Sequence, residues 1–335
     1  MTGLVALFAI ATVIAVTLYL LLLVRHLRHP PRRTAGWAMA RKRPSDPGEL
    51  EAHGGPKVAW SEDRVKGVPF WSIARDEGTL AATATPTVIL MHGWGHSRID
   101  GLSRLEPWLS RGFRVVLPDL RGHGDADGAS ELGDRDVLDV LAIVDILPTS
   151  QLVLAGHSMG GVVAIRAGAM LSERTNAIGS PRSPQESRAN NAHGSTGAVL
   201  GSDAPAADTT TSPALVGVVA IAAYERLRVP AVADLKSRGY TVGPLLHPLL
   251  AILRLLGVRE HSTRAAAARL AAPLLVIHGE QDLACPLNDA KTYAAAAREH
   301  RLEVIANAGH NDVWREHGEV LEATIERWLE ARLAS

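Results

Sequence analysis

The sequence predicts an α/β protein built on a mainly parallel sheet, and three observations predict it. Runs that are apolar throughout recur along the chain, at 86–91, 113–117, 152–155, 215–222, 274–278 and 302–305. Without polar alternation, such runs suit strands covered by helices on both faces. Stretches of helical character stand between them, the clearest at 161–171. Glycine-bearing turns follow several runs, as at His92-Gly93 and Gly279-Glu280.

Length and composition bound the remaining possibilities. The chain of 335 residues suits one main domain with additions. Its 35 Lys and Arg balance 35 Asp and Glu, and no basic stretch is interleaved with aromatics, so a nucleic-acid partner is not expected. Cys285 is the sole cysteine, which excludes an intrachain disulfide and reads as a packing residue.

The first element is an uncharged stretch over 3–24, which as a helix would reach about 33 Å and could cross a bilayer. It lacks a basic segment before it and a small-residue cleavage site after it, so it reads as a retained anchor (1–25) rather than a signal peptide. Arg25, Arg28, Arg32, Arg33, Arg41, Lys42 and Arg43 follow it, while only Met1 and Thr2 precede the uncharged run. That asymmetry predicts a single-pass protein with its body in the cytoplasm. Residues 26–57, rich in Arg, Pro and Gly, read as a tether near the headgroups, and the folded body is expected over 58–335.

Two inserts interrupt the strand rhythm. Residues 172–213 hold few large aliphatics and no aromatic, which predicts a disordered loop. Residues 224–269 contain an apolar helix at 245–256, too short to span a bilayer, which is expected to pack over a site as a cap.

The chemistry centres on Gly156-His157-Ser158-Met159-Gly160, directly after the run at 152–155. A G-x-S-x-G turn between strand and helix needs small residues flanking the serine and lifts its hydroxyl clear of the sheet. A serine hydroxyl is a weak nucleophile, so it needs a histidine to take its proton and a carboxylate to orient that histidine. His310 follows the run at 302–305 and Asp282 follows the run at 274–278, which would place both at one sheet edge. Asp312 is an alternative carboxylate, although its closeness to His310 in sequence makes the geometry awkward. His92 and His123 read as loop-structuring residues, and the pair His92 and His96 lacks an acidic third ligand at matching spacing. Neither a metal nor a cofactor is expected.

His92-Gly93-Trp94-Gly95, the loop Asp119 through Gly124, the pentapeptide, Gly279 through Asp282 and Gly309-His310 together resemble the signature loops of the α/β-hydrolase fold superfamily. The resemblance implies an eight-stranded, mostly parallel sheet with a helical cap after the sixth strand. It also implies Ser158 as nucleophile, Asp282 as acid and His310 as base, with the backbone N–H groups of Met159 and Trp94 as oxyanion hole. The function expected is a membrane-anchored serine esterase acting on a small-molecule ester, with acyl or lipid-derived esters favoured by the apolar cap. The same triad also serves amide, thioester, acyl-transfer and perhydrolysis chemistry, and the alternative class is a non-catalytic binding protein on this fold. The residues leave oligomeric state open.

Overall fold

The computed structural model describes residues 2–179 and 213–333. Eight strands form one sheet in the order β1-β2-β4-β3-β5-β6-β7-β8. They are β1 Ala59–Val65, β2 Val68–Ala74, β3 Thr87–Met91, β4 Arg114–Pro118, β5 Gln151–His157, β6 Ala214–Ile221, β7 Leu274–Gly279 and β8 His300–Ile305. β2 runs antiparallel to β1 and β4, and every later pairing is parallel. The six apolar runs read from the sequence are β3 to β8, each within two residues.

β1 and β2 have no counterpart among those runs. They join through Lys66 and Gly67, both with positive φ (50° and 81°), the geometry of a tight hairpin turn whose twist matches its strands. β1 is polar and exposed along most of its length, so it carries little apolar signal. β8 departs from the expectation of burial on both faces: among the described residues it pairs only with β7, and Val304 is exposed.

The longer helices are α1 Thr2–Arg28, α2 Asp136–Val144, α3 Met159–Gly179, α4 Arg228–Ser237, α5 Leu246–Leu255, α6 Leu287–Ala294 and α7 Gly318–Leu333. Alternate strand residues feed two cores. Ile89, Met91 and Leu154 pack with α2, α3 and α6 on one side, and Val88, Leu90 and Val153 pack with Trp108, Ile325 and Trp328 on the other. α4, α5 and a short helix Thr263–Ala267 fall between β6 and β7, a helical insertion after the sixth strand.

Two sequence boundaries are corrected. α3 continues through Gly179, eight residues into the stretch read as a disordered loop; the rest of that stretch, 180–212, lies outside the described residues. The expected tether is a strap packed on the body. Ala38 and Leu50 are buried in the second core, and Arg32 donates from Nη1 to the carbonyls of Gly124 (3.0 Å) and Ala126 (2.7 Å).

α1 is divided along its length. Leu20, Leu23, Val24 and Leu27 recur on one helical face and are buried in the first core, Leu23 completely (0% exposed), whereas Leu4 is 75% exposed. Tyr19 Oη accepts from the Thr241 N–H at 2.8 Å, and His26 Nε2 lies 2.8 Å from Asp234 Oδ2 of α4. The stretch of α1 from Tyr19 to its end is therefore docked on the body and its cap, and the outer stretch is exposed apolar surface.

Candidate active site

Ser158 sits between β5 and α3 with φ 54°, a left-handed conformation that a β-carbon disfavours. The Ser158 N–H donates to the Ile221 carbonyl of β6 at 2.8 Å, fixing the turn to the sheet. Both flanking glycines are required by close approach. A Cβ on Gly156 would lie 2.3 Å from the carbonyl carbon of Gly160, and one on Gly160 would lie 2.4 Å from the Met91 carbonyl oxygen.

The loops after β7 and β8 bring Asp282 and His310 to this turn. His310 Nε2 is 3.0 Å from Ser158 Oγ, and its Nδ1 is 2.7 Å from Asp282 Oδ2. A carboxylate accepts, so Nδ1–H donates to it and Nε2 is left to accept the serine proton. Asp282 is buried, and its Oδ1 accepts from the N–H groups of Ala284 (2.9 Å) and Cys285 (2.7 Å). The alternative carboxylate, Asp312, is engaged elsewhere, accepting from the Gly309 N–H at 3.0 Å.

The His92-Gly93-Trp94 loop lies beside the serine, where a Cβ on Gly93 would come within 3.3 Å of Ser158 Cβ. Met159 begins α3, where backbone N–H groups have no partner from the preceding turn. Trp94 donates from Nε1 to the Leu27 carbonyl of α1 at 2.9 Å, and its ring lines the pocket.

Buried histidines shape the surroundings. Burial pushes His92 down to about 4 and His123 to about 3, so both are neutral. His92 accepts at Nε2 from the Leu120 N–H at 3.0 Å, tying the β3 loop to the β4 loop. His157, which sequence reasoning assigned no role, points its Nε2 at the His310 carbonyl at 3.1 Å. Burial, and next the charge of His310, hold it well below the usual histidine range. His278 is lowered chiefly by burial and lies 2.7 Å from the Cys285 carbonyl.

Asp282, Cys285 and His310 each place a possible metal-ligating atom within 4.8 Å of the others. Burial raises the Cys285 thiol well above its ordinary range. The grouping follows from the packing of the Asp282 loop around His310.

The serine opens into a cavity of about 570 Å³, a size that suits a small organic molecule. Leu132, Tyr224, Leu227 and Ala231 form an apolar wall, and Leu27, Arg33 and Trp37 come from α1 and the strap.

This sheet order, the cap position and the serine elbow define an α/β hydrolase architecture. The model of the alpha/beta hydrolase fold family matches residues 86–316, and the chain belongs to that family. An AB hydrolase superfamily protein of Bacillus subtilis is 26% identical over 251 residues, covering 68% of this chain and 86% of its own length. Among solved structures, a Pyrococcus furiosus esterase superposes with TM-score 0.61 at 19% identity, covering 91% of this chain and 99% of its own. A membrane phospholipase A gives TM-score 0.52 at 17% identity, covering 100% of this chain and 98% of its own. Identities this low establish the shared fold.

Proposed function

We propose that the protein is a membrane-anchored serine hydrolase that cleaves carboxylic esters through an acyl-enzyme. The observation that carries this reading is the continuous relay from Asp282 through His310 to Ser158 (2.7 and 3.0 Å) opening into one apolar-walled pocket. Ser158 Oγ attacks the ester carbonyl as His310 Nε2 takes its proton. Asp282 keeps His310 in the tautomer that can accept, and stabilises the imidazolium that forms. The backbone N–H groups of Met159 and Trp94 are the donors we assign to the oxyanion, and one such donor contributes about 10² to 10³ in rate. His310 returns the proton to the departing alcohol, and water releases the acid by the same steps in reverse roles.

Support for the membrane setting comes from the exposed outer stretch of α1, which is apolar and uncharged; the basic residues that follow it favour a body on the cytoplasmic side. A reporter fused to the carboxyl terminus and active only outside the cytoplasm would reverse that orientation. The apolar wall favours acyl esters.

Labelling with a fluorophosphonate tests the chemistry. The folded protein is expected to form an adduct at Ser158 that is lost in Ser158→Ala. A folded protein that takes no label, or an adduct that persists in Ser158→Ala, would remove the enzyme reading.

A further inference from the structure

The pocket residues fall into two contact groups of opposite chemistry. Leu132, Met159, Tyr224, Leu227 and Ala231 belong to the apolar core beneath the cap. Arg33, Trp37 and His96 form the other group, joined by Arg33 Nη1 at 3.3 Å from His96 Nδ1 and by the Arg33 guanidinium 4.7 Å from the Trp37 ring.

Behind that second wall, positive charge is concentrated. Arg33 Nη1 reaches Asp100 Oδ1 at 2.6 Å and Arg43 Nη1 reaches the same oxygen at 3.4 Å. The guanidinium groups of Arg41 and Arg43 also approach Trp37, at 4.7 and 5.3 Å from its ring. Arg104 is half-buried and stacks on Trp314 at 4.3 Å; among the described residues no carboxylate is ion-paired to it. Arg33 and Arg43 thus share Asp100, and among the described residues it is the carboxylate ion-paired to this pair.

An arginine does not give up its proton in a protein, so an excess of guanidinium over carboxylate gives this side of the pocket a positive field that attracts an anion. Burial first, and then the charges of Arg43, Arg33 and Arg315, lower Arg104 to about 10 against the pull of Asp100, which is how a crowded cationic site behaves. The planar forks match the oxygens of a phosphate, and a phosphate monoester carries about −1.5 to −2 charge at neutral pH.

We propose that Arg33, which lines the Ser158 pocket, binds a phosphate carried on the alcohol side of the substrate, with Arg43 and Arg104 adding positive charge behind it. The substrate is then an ester with an apolar acyl arm and a phosphate-bearing leaving group. This rests on the serine hydrolase reading, and it fixes the polarity of binding: acyl chain under the cap, phosphate toward the strap. Two sources offer this chemistry, a lipid headgroup in the bilayer and a soluble phosphorylated alcohol ester.

The test uses the full chain and two glycerol esters of matched acyl length, one with a phosphate on the third carbon and one with a free hydroxyl there. Wild type is expected to favour the phosphate ester at least about tenfold in kcat/KM, mainly through KM, and less so at high salt. Arg33→Gln should collapse that ratio by about tenfold and Arg33→Lys should retain part of it. Equal rates on the two esters in wild type, or an equal fall on both in Arg33→Gln, would overturn the phosphate site. Short-chain monomeric esters and long-chain esters in phosphatidylcholine vesicles are run separately. A phosphate preference confined to vesicles assigns the lipid source, one confined to monomers assigns the soluble source, and its absence from both overturns the proposal. Fluorophosphonate labelling of the same samples keeps the two readings apart. A labelled enzyme indifferent to phosphate loses only the anion site, whereas an unlabelled wild type loses the hydrolase reading itself.

Discussion

His157 and His310 are joined by a hydrogen bond from the Nε2–H of one to the backbone carbonyl of the other, at 3.1 Å, with ring centroids 5.0 Å apart. A carbonyl oxygen accepts only, so His157 is held as the Nε2–H tautomer. Its place directly before Ser158 means that one side chain couples the serine turn to the histidine loop. His157→Leu removes this donor, and the unsatisfied carbonyl is expected to cost about 1–3 kcal/mol. In steady-state kinetics on a chromogenic ester, kcat should fall about tenfold or more with KM nearly unchanged. A change confined to melting temperature would show that the bond serves folding alone.

Asp282 and Asp312 compete for the orienting role on sequence grounds, and their contacts separate them. Asp282→Asn should lower kcat by about 10⁴, as expected when an acceptor that fixes the histidine tautomer becomes an amide. Asp312→Asn should instead loosen the Gly309 turn, costing roughly 1 kcal/mol of stability and much less activity. Single-turnover rates of both variants on one ester decide the matter; equal losses would return the assignment to open.

Gly160 carries a steric prediction. A methyl there would lie 2.4 Å from the Met91 carbonyl oxygen and 2.7 Å from that of His92, both backbone atoms in the centre of the sheet. Gly160→Ala is expected to destabilise the fold by several kcal/mol, on the order of the larger single-substitution effects. A wild-type melting temperature in this variant would mean that α3 is not held against β3 as described.

Acid should unfold the protein through its buried histidines. His92 and His123, lowered to about 4 and about 3, and His157 and His278, also lowered, must take up protons on unfolding at any pH below their ordinary range of about 6.5. The unfolded chain then binds more protons than the folded one, so stability falls as pH drops from about 6.5 toward 4. Burial raises Asp119 to about 6 and Asp136 to about 7, which acts in the opposite sense because the folded state holds those protons more tightly. The histidines outnumber the two carboxyls, so the net slope is positive. Denaturant titrations across this range should show it, and Asp136→Asn should make it steeper. A flat or inverted profile would contradict the buried, neutral state of the histidines.

Leu23 predicts that α1 is not a removable appendage. It is completely buried, and Leu23→Ala should destabilise the body by about 2–5 kcal/mol, whereas Leu7→Ala, on the exposed stretch, should leave melting in detergent almost unchanged. Equal melting temperatures for the two variants would indicate that α1 leaves its dock in solution.

The meeting of Ser158, His310 and Asp282 was legible because each residue is announced locally. The serine stands in a turn that tolerates few residues, and the other two follow apolar strands of the same sheet. The sheet was legible for β3 to β7, where burial on both faces writes apolar runs, and for β8 from a short run despite its exposure, but not for β1 and β2, whose signal is the Lys66-Gly67 turn. The docking of α1 was hidden for a different reason. Leucines that face lipid and leucines that face a protein core look alike in composition, and only the partner surface distinguishes Leu23 from Leu22. Similarly, Arg33 and Arg43 read as generic basic residues after an apolar run, because their shared carboxylate is Asp100, far along the chain.

The embedding of Leu20, Leu23, Val24 and Leu27 in the core beneath the cap fixes the geometry of any encounter with a bilayer. If the proposed anchor spans a bilayer, the stretch from Thr2 to Leu18 is left for the hydrocarbon, near the lower limit of what spans it, which would leave the body little slack above the headgroups. The pocket wall that includes Leu27 and Trp37 is then held at a fixed height above the lipid. Under the proposed membrane setting, substrate supply would be a matter of lateral encounter in two dimensions, and velocity should follow the mole fraction of ester in the surface rather than its bulk molarity.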